Sequence, residues 1–270
     1  MKMKIIGADK KMAEHRGAKV LLLGPPGVGK TSQLRTLDRG RTLFNDIEAG
    51  DLSVLDLPVD TVRISTWQQA CDLAVRISGP NPSFPPTLPY SQAHYEAVGG
   101  ALPDLDRYQT IFIDSLTALS RLSFRYAEQQ PEAYSERSGK KDLRGAYGLH
   151  GRQMILLLNQ FQYAREKNVI FVGGLERIVD EFGRGEWQLQ AEGSKTSREI
   201  PGIVDQIISY QFLDFGDGKL ERGFVCTSPN PWGYPAKDRS GRLEMIEPPD
   251  LGKLLTKLTT RTIAKENGND

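Results

Sequence analysis

Apolar residues in this chain fall into short runs separated by amphipathic stretches, the pattern of buried parallel strands alternating with helices. Lys19 to Gly24 is almost wholly aliphatic and reads as a first core strand. Arg41 to Asp46, Tyr108 to Asp114 and Asn168 to Gly173 repeat the pattern, with a shorter run at Thr61 to Ser65. Between them, Thr31 to about Asp38 is helix-compatible, and Thr66 to Ile77 puts Ala70, Leu73, Ala74 and Ile77 on one helical face. Ser115 to Tyr126 predicts a helix. So does Tyr147 to Lys167, where Met154, Leu157, Leu158 and Phe161 form one apolar stripe that reads as core packing. Beyond residue 203 the periodicity changes: Ile203 to Phe212 and Gly223 to Thr227 are strand-like with no helix between them, which predicts an antiparallel extension of the sheet. Leu251 to Leu258 predicts a short last helix. The expected class is α/β, three layers around a mainly parallel central sheet extended by antiparallel C-terminal strands.

Some stretches break the pattern. Gly79 to Asp106 carries six prolines among small polar residues and reads as an insertion or long surface loop, about 79–107. Glu128 to Arg144 and Asp180 to Glu199 are polar and read as loops. The organisation expected is an N-terminal extension (1–17), one domain (18–258) and a polar tail (259–270). With 270 residues the chain can bury a full α/β core, and its net charge of +1 gives no global electrostatic case for nucleic acid. Any such contact must come from local patches. Cys71 and Cys226 form no C-x-x-C pair, which argues against zinc and for a reduced, cytoplasmic setting. No signal-peptide core opens the chain and no apolar run approaches about 18 residues, so no membrane partner is expected.

The strand Val20 to Leu23 leads into GPPGVGKTS, where Gly24, Gly29, Lys30 and Thr31 satisfy G-x-x-x-x-G-K-[ST]. Gly24, Pro25, Pro26, Gly27, Val28, Gly29, Lys30, Thr31 and Ser32 read as a phosphate-binding loop. Backbone N–H groups of such a loop wrap phosphates, and the dipole of the following helix adds to them. Lys30 is placed to reach β- and γ-phosphates, and Thr31 to hold Mg²⁺. The expected ligands are ATP and Mg²⁺. The run YQTIFID delivers Asp114 at the end of an apolar strand, where its carboxylate can serve the same Mg²⁺. The next residue is Ser115, not the Glu that often polarises the attacking water. The base must then come from elsewhere, and Glu48, just past the second strand, is the best candidate, with Asp46 a rival. Near the C-terminus, Lys237 and Arg239 project at i and i+2 from one side of an extended segment. By themselves they could equally be a solvated hairpin.

Taken together, GPPGVGKTS, FNDIEAG, IFIDSLTAL and AKDRSG occur in the order seen in RecA-like P-loop ATPases. The AKDRSG segment resembles the Lys-x-Arg signature of the RadA and KaiC branches, and the whole of residues 18–258 is similar to phage-encoded RecA-like ATP-binding proteins of the Sak single-strand-annealing group. The resemblance implies an oligomer, ring or filament, in which Lys237 and Arg239 reach a neighbour's ATP site like an arginine finger. It implies action on single-stranded DNA in phage recombination or replication, in the cytoplasm of an infected or lysogenic host, with phage single-strand-binding or replication proteins as possible partners. Two mobile loops would bind the DNA: Glu128–Arg152, with Arg137, Lys140, Lys141, Arg144 and the stacking ring of Tyr147, and Val179–Glu199, with Arg184 and Trp187. A polar sensor is expected after the Asn168–Gly173 strand, where Glu176 is the nearest polar candidate. Other readings are an AAA-type remodelling or loader ATPase acting on protein partners, and a nucleotide-gated interaction module. Asp114-Ser115 and the strands after residue 203 disfavour the remodeller, which would carry Asp-Glu and a helical lid. A GTPase is disfavoured by the absence of an N-K-x-D signature.

Overall fold

The computed structural model describes residues 5–260 apart from 136, 138, 215 and 217, so residues 261–270 of the expected tail lie outside the described residues. Along the chain come α1 (Ala8–Ala13), β1 (Lys19–Gly24), β2 (Thr42–Asp46), β3 (Asp60–Arg63), α2 (Trp67–Ser78), α3 (Gln92–Ala97), β4 (Thr110–Asp114), α4 (Leu116–Ala127) and α5 (Leu143–Gln162). Then follow β5 (Asn168–Val179), β6 (Gly185–Leu189), α6 (Ser194–Ile203), β7 (Gln206–Asp214), β8 (Leu220–Val225), β9 (Lys237–Asp238), β10 (Ile246–Glu247) and α7 (Leu251–Thr259). The strands form one sheet in the order β10-β8-β7-β1-β5-β4-β2-β3. From β7 to β3 the pairings are parallel, whereas β8 and β10 extend the β7 edge antiparallel. The α/β class with antiparallel C-terminal strands therefore holds.

Strand periodicity splits the core in two. Leu21 and Leu23 face a layer with Ile111, Ile113 and Phe171, packed by α2, α4 and α5. Val20 and Leu22 face the other layer with Phe112 and Ile170, covered by Leu34, Leu37 and the α7 leucines. Every residue of β1 is buried, as a strand covered on both faces requires.

Four expectations are corrected. The stretch after the phosphate loop is a six-residue 3₁₀ turn, Thr31–Thr36, not an α-helix running to Asp38. Leu34 and Leu37 pin the segment to the core, and Asp38 then caps a second 3₁₀ turn, Arg39–Arg41, that runs directly into β2 at Thr42. Helix α7 lies on Thr31–Thr36 so closely that a Cβ at Gly252 would meet the Thr36 carbonyl at 2.1 Å. The Pro-rich insertion is built: Ser91 caps α3, the Tyr90 hydroxyl donates to Cys71 Sγ at 3.3 Å, and His94 Nε2 lies 2.8 Å from Asp72. Helix α5 starts at Leu143, four residues earlier than expected, because Asp142 caps it by accepting from the Arg144 N–H at 3.0 Å. It stops at Gln162, before Lys167. Finally, the expected mobile loop Val179–Glu199 is a β5–β6 hairpin followed by α6. Its turn is closed by Asp180, which accepts from the N–H groups of Phe182 and Arg184.

Lys19 is buried in β1, and its amine donates to the carbonyls of Lys167 at 2.8 Å and Ala164 at 3.0 Å. Burial lowers its pKa from 10.5 to about 8, against the pull of Asp205. Between those two values the unfolded chain holds a proton that the folded chain has released, so stability rises with pH there. The rise is roughly 3 kcal/mol. Urea denaturation at pH 8 and pH 10 should show about 2 kcal/mol of it, and Lys19→Met should flatten the difference between the two.

Candidate functional site

Parallel strands deliver their C-terminal ends to one rim, and the loops leaving β1, β2 and β4 meet there. Between them opens a cleft of about 490 Å³, lined on one side by Pro26, Gly27, Gly29, Lys30, Thr31 and Ser32 of the phosphate loop. Glu48 and Ser53 line it from the segment after β2, Asp114, Ser115, Thr117 and Arg121 from β4 and α4, and Gly174 and Gln190 from the third side. The volume is that of ordinary small-molecule sites.

The loop owes its shape to glycine. Gly29 has φ +102° and Gly27 φ +78°, conformations that L side chains rarely adopt. Gly24 passes so close to β7 that a Cβ would meet the Tyr210 carbonyl at 2.6 Å. Gly24, Pro25 and Val28 frame the loop without lining the cleft: Val28 is buried in the core, while the Gly24 and Pro25 carbonyls accept from Lys30 Nζ at 2.8 and 2.9 Å. Burial lowers the Lys30 pKa, against the pull of Asp114 and Glu48. Because the 3₁₀ segment is only six residues long, the dipole expected of a following helix is confined to about two turns. The loop N–H groups and Lys30 are thus the groups available to hold a phosphate here. Outside the loop, Arg222 of β8 reaches to 3.6 Å from where a Gly29 Cβ would sit, a proximity invisible in the sequence.

Thr31 Oγ1 donates to Asp114 Oδ2 at 2.5 Å. Burial pushes the Asp114 carboxyl up to about 6, and the nearby Glu48 charge adds to this, in spite of the Thr31 bond. A hydroxyl and a buried carboxylate this close, at the phosphate end of the cleft, fit the oxygen preference of Mg²⁺, which keeps waters and phosphate oxygens for its other positions. Among the described residues no group of three or more His, Cys, Asp or Glu side chains could hold a metal by itself, so these two would do so with phosphate.

Glu48 is carried into the cleft by a turn in which Ala49 takes a left-handed conformation, φ +52°, and the Gly50 N–H bonds Asp46 at 3.3 Å. Asp46, the rival candidate, is thereby buried as a turn-former outside the cleft. The Ser115 hydroxyl donates to Glu48 while it accepts from the Ala118 N–H at 3.1 Å as the cap of α4. The residue that stands where a Glu was absent thus orients the Glu supplied from elsewhere.

The sensor expectation is corrected. Glu176 accepts from Gln188 Nε2 at 3.0 Å within the hairpin and stays out of the cleft. Gln190, returned by β6, lines it instead: its N–H donates to the Gly174 carbonyl, and its carbonyl accepts from Thr117 Oγ1, each at 2.9 Å.

Lys237 and Arg239 lie elsewhere. Strand β9 pairs with the beginning of β7, opposite Gln206 and Ile207, toward the N-terminal ends of the parallel strands. Lys237 Nζ donates to the Pro201 carbonyl at 2.6 Å, and Arg239 to the Gly202 carbonyl at 2.9 Å and to Asp205 at 3.4 Å. Burial and the neighbouring Arg239 lower the Lys237 pKa.

Of the expected DNA contacts, Arg137, Lys140 and Arg144 are exposed near the start of α5, and Lys141 pairs with Glu128 at 2.7 Å. Tyr147 stacks on Phe124 with ring centroids 4.5 Å apart and remains 42% exposed, so only one face of its ring is open. It also approaches Gly193, so the two expected DNA stretches adjoin. Arg184 pairs with Asp180 and lies over Phe182, while the half-buried Trp187 packs on Tyr234 at 5.4 Å, which removes much of its surface from stacking on a base.

The sequence profile of a family described as an AAA domain matches residues 16–240. No curated protein matches the chain. Among solved structures, the chain is similar to the flagellar accessory protein FlaH from Methanocaldococcus jannaschii, with 12% identity, 83% of this chain and 84% of that one covered, and a TM-score of 0.33. It is also similar to the RadB recombinase, with 13% identity, 78% and 88% covered, and a TM-score of 0.36.

Proposed function

Because the chain belongs to this AAA-domain family, we propose that it is a Mg²⁺-dependent ATPase of the RecA-like class, working as an oligomer on single-stranded DNA in phage recombination or replication. The observation that carries the reading is the meeting of Lys30, Thr31, Asp114 and Glu48 in one cleft at the strand ends. The loop N–H groups and Lys30 bind the phosphates. Bound between Thr31, Asp114 and phosphate oxygens, Mg²⁺ would neutralise charge on the β- and γ-phosphates. Glu48, its carboxylate held by Ser115, orients a water toward the terminal phosphate and accepts its proton. Lys237 and Arg239, at the far end of the sheet from their own cleft, serve a neighbouring subunit's site. Members of the Sak-type annealing group would combine these features. The strands β7 and β8, with Ser115 after Asp114, favour this class over a remodelling ATPase acting on protein partners.

ATP turnover measured with and without single-stranded DNA, alongside mass in ATP and in ADP, tests the reading. DNA should raise turnover, with a stimulation that falls steeply as salt is added. The mass in ATP should be that of a ring or filament. Turnover indifferent to DNA but raised by a protein partner would favour the remodeller. A monomer in both nucleotides would overturn the oligomeric site.

A further inference from the structure

The cleft lining carries two cations, Lys30 and Arg121, against two carboxylates, Glu48 and Asp114. Lys30 is folded back on the Gly24 and Pro25 carbonyls, at the loop end. Arg121 is different. It is exposed, and among the described residues it has no hydrogen bond or ion pair. It stands one helical turn beyond Thr117 on the same face of α4, and Thr117 is tied to Gln190. Two residues before Thr117, Ser115 holds Glu48. Arg121 therefore lines the cleft from α4, the helix whose first residues hold Glu48 through Ser115 and Gln190 through Thr117.

Those positions have a consequence for a polyphosphate. The loop would hold the phosphates a diphosphate shares with a triphosphate, Lys30 reaches the β- and γ-phosphates, and the third phosphate would extend toward Glu48 in the cleft that Arg121 also lines. An uncommitted guanidinium at the mouth of a neutral cleft is suited to grip phosphate oxygens through two of its N–H groups. We infer that Arg121 binds the terminal phosphate within its own subunit, so that the chain distinguishes ATP from ADP before any neighbour contributes. The inference rests on the ATPase reading above and assigns a triphosphate-recognition residue to that site. The sequence alone offered no sign of it, because Arg121 looks like any solvated residue on an amphipathic helix.

The test is equilibrium binding to the full chain of Mg²⁺ with a non-hydrolysable ATP analogue, and of Mg²⁺ with ADP, for wild type, Arg121→Ala and Arg121→Lys. Arg121→Ala should weaken the analogue about 10- to 100-fold and ADP less than about two-fold. Arg121→Lys should recover part of the loss, since it restores charge without the planar fork. Matching circular dichroism melts show that the variants fold. If both ligands weaken equally, or neither does, Arg121 does not read the third phosphate and the inference fails while the ATPase reading stands. If the wild type binds neither nucleotide, both fail.

Discussion

Arg239→Ala is expected to lower ATP turnover by about 10³-fold or more while ATP affinity stays within a few-fold of wild type. The size follows from the role: a cation delivered to the transferring phosphoryl group acts on charge that spreads in the transition state, not on the ground state. The location makes the effect diagnostic. Arg239 is bonded to Gly202 and Asp205 near the start of β7, whereas the cleft of its own chain opens at the far ends of β1, β2 and β4. A large loss of turnover from that distance means that Arg239 acts on another subunit. Folding should survive the change, because Asp205 keeps Arg16, which donates to both its oxygens at 2.8 and 3.0 Å. Turnover and nucleotide affinity, measured on the same preparation, separate the two effects.

Glu48→Gln is the second large effect, a loss of about 10²- to 10⁴-fold in turnover with nucleotide binding retained. Gln keeps the shape and still accepts from the Ser115 hydroxyl, so the turn around Ala49 and the cap of α4 are undisturbed. What it loses is the ability to take a proton from water. Among the described residues the Glu48 carboxylate bonds only Ser115, which leaves its other oxygen open to the cleft. Asp46 cannot substitute, because it is buried and occupied with the Gly50 N–H. Phosphate release under single-turnover conditions gives the rate of the chemical step.

Legibility in the sequence followed locality. Continuous aliphatic runs such as Val20 to Leu23 have no other use than a strand buried on both faces, and a glycine-rich turn between such a strand and Lys30-Thr31 constrains its own conformation. Glu48 and Asp114 were readable because parallel strands must end on a common rim, wherever their neighbours in the sheet lie. The places of Thr117, Arg121 and Gln190 in the cleft lining were not readable. Gln190 reaches the cleft only because β5 continues past Gly174 into a hairpin, and Thr117 matters only where that hairpin returns. The alternation that makes the hairpin is diluted by charge, and its turn depends on Asp180 bonding two backbone N–H groups. The 3₁₀ segment after the loop escaped for a similar reason: Gln33, Leu34 and Arg35 are good helix formers, and what sets the local geometry is the burial of Leu34 and Leu37 together with the packing of α7. Trp187 looked like a stacking ring because nothing local announces its distant contact with Tyr234.

If the cleft around Lys30 and Asp114 is a hydrolytic site finished by a neighbour, mixing the Glu48→Gln and Arg239→Ala proteins should restore it. Each variant alone is inactive, but an interface that joins the intact Glu48 of one subunit to the intact Arg239 of the next is whole. In a randomly exchanged assembly about one interface in four is of that kind, so an equimolar mixture should recover about a quarter of wild-type phosphate release. A mixture whose subunits demonstrably exchange, yet which stays as inactive as its parents, would contradict a site finished by a neighbour.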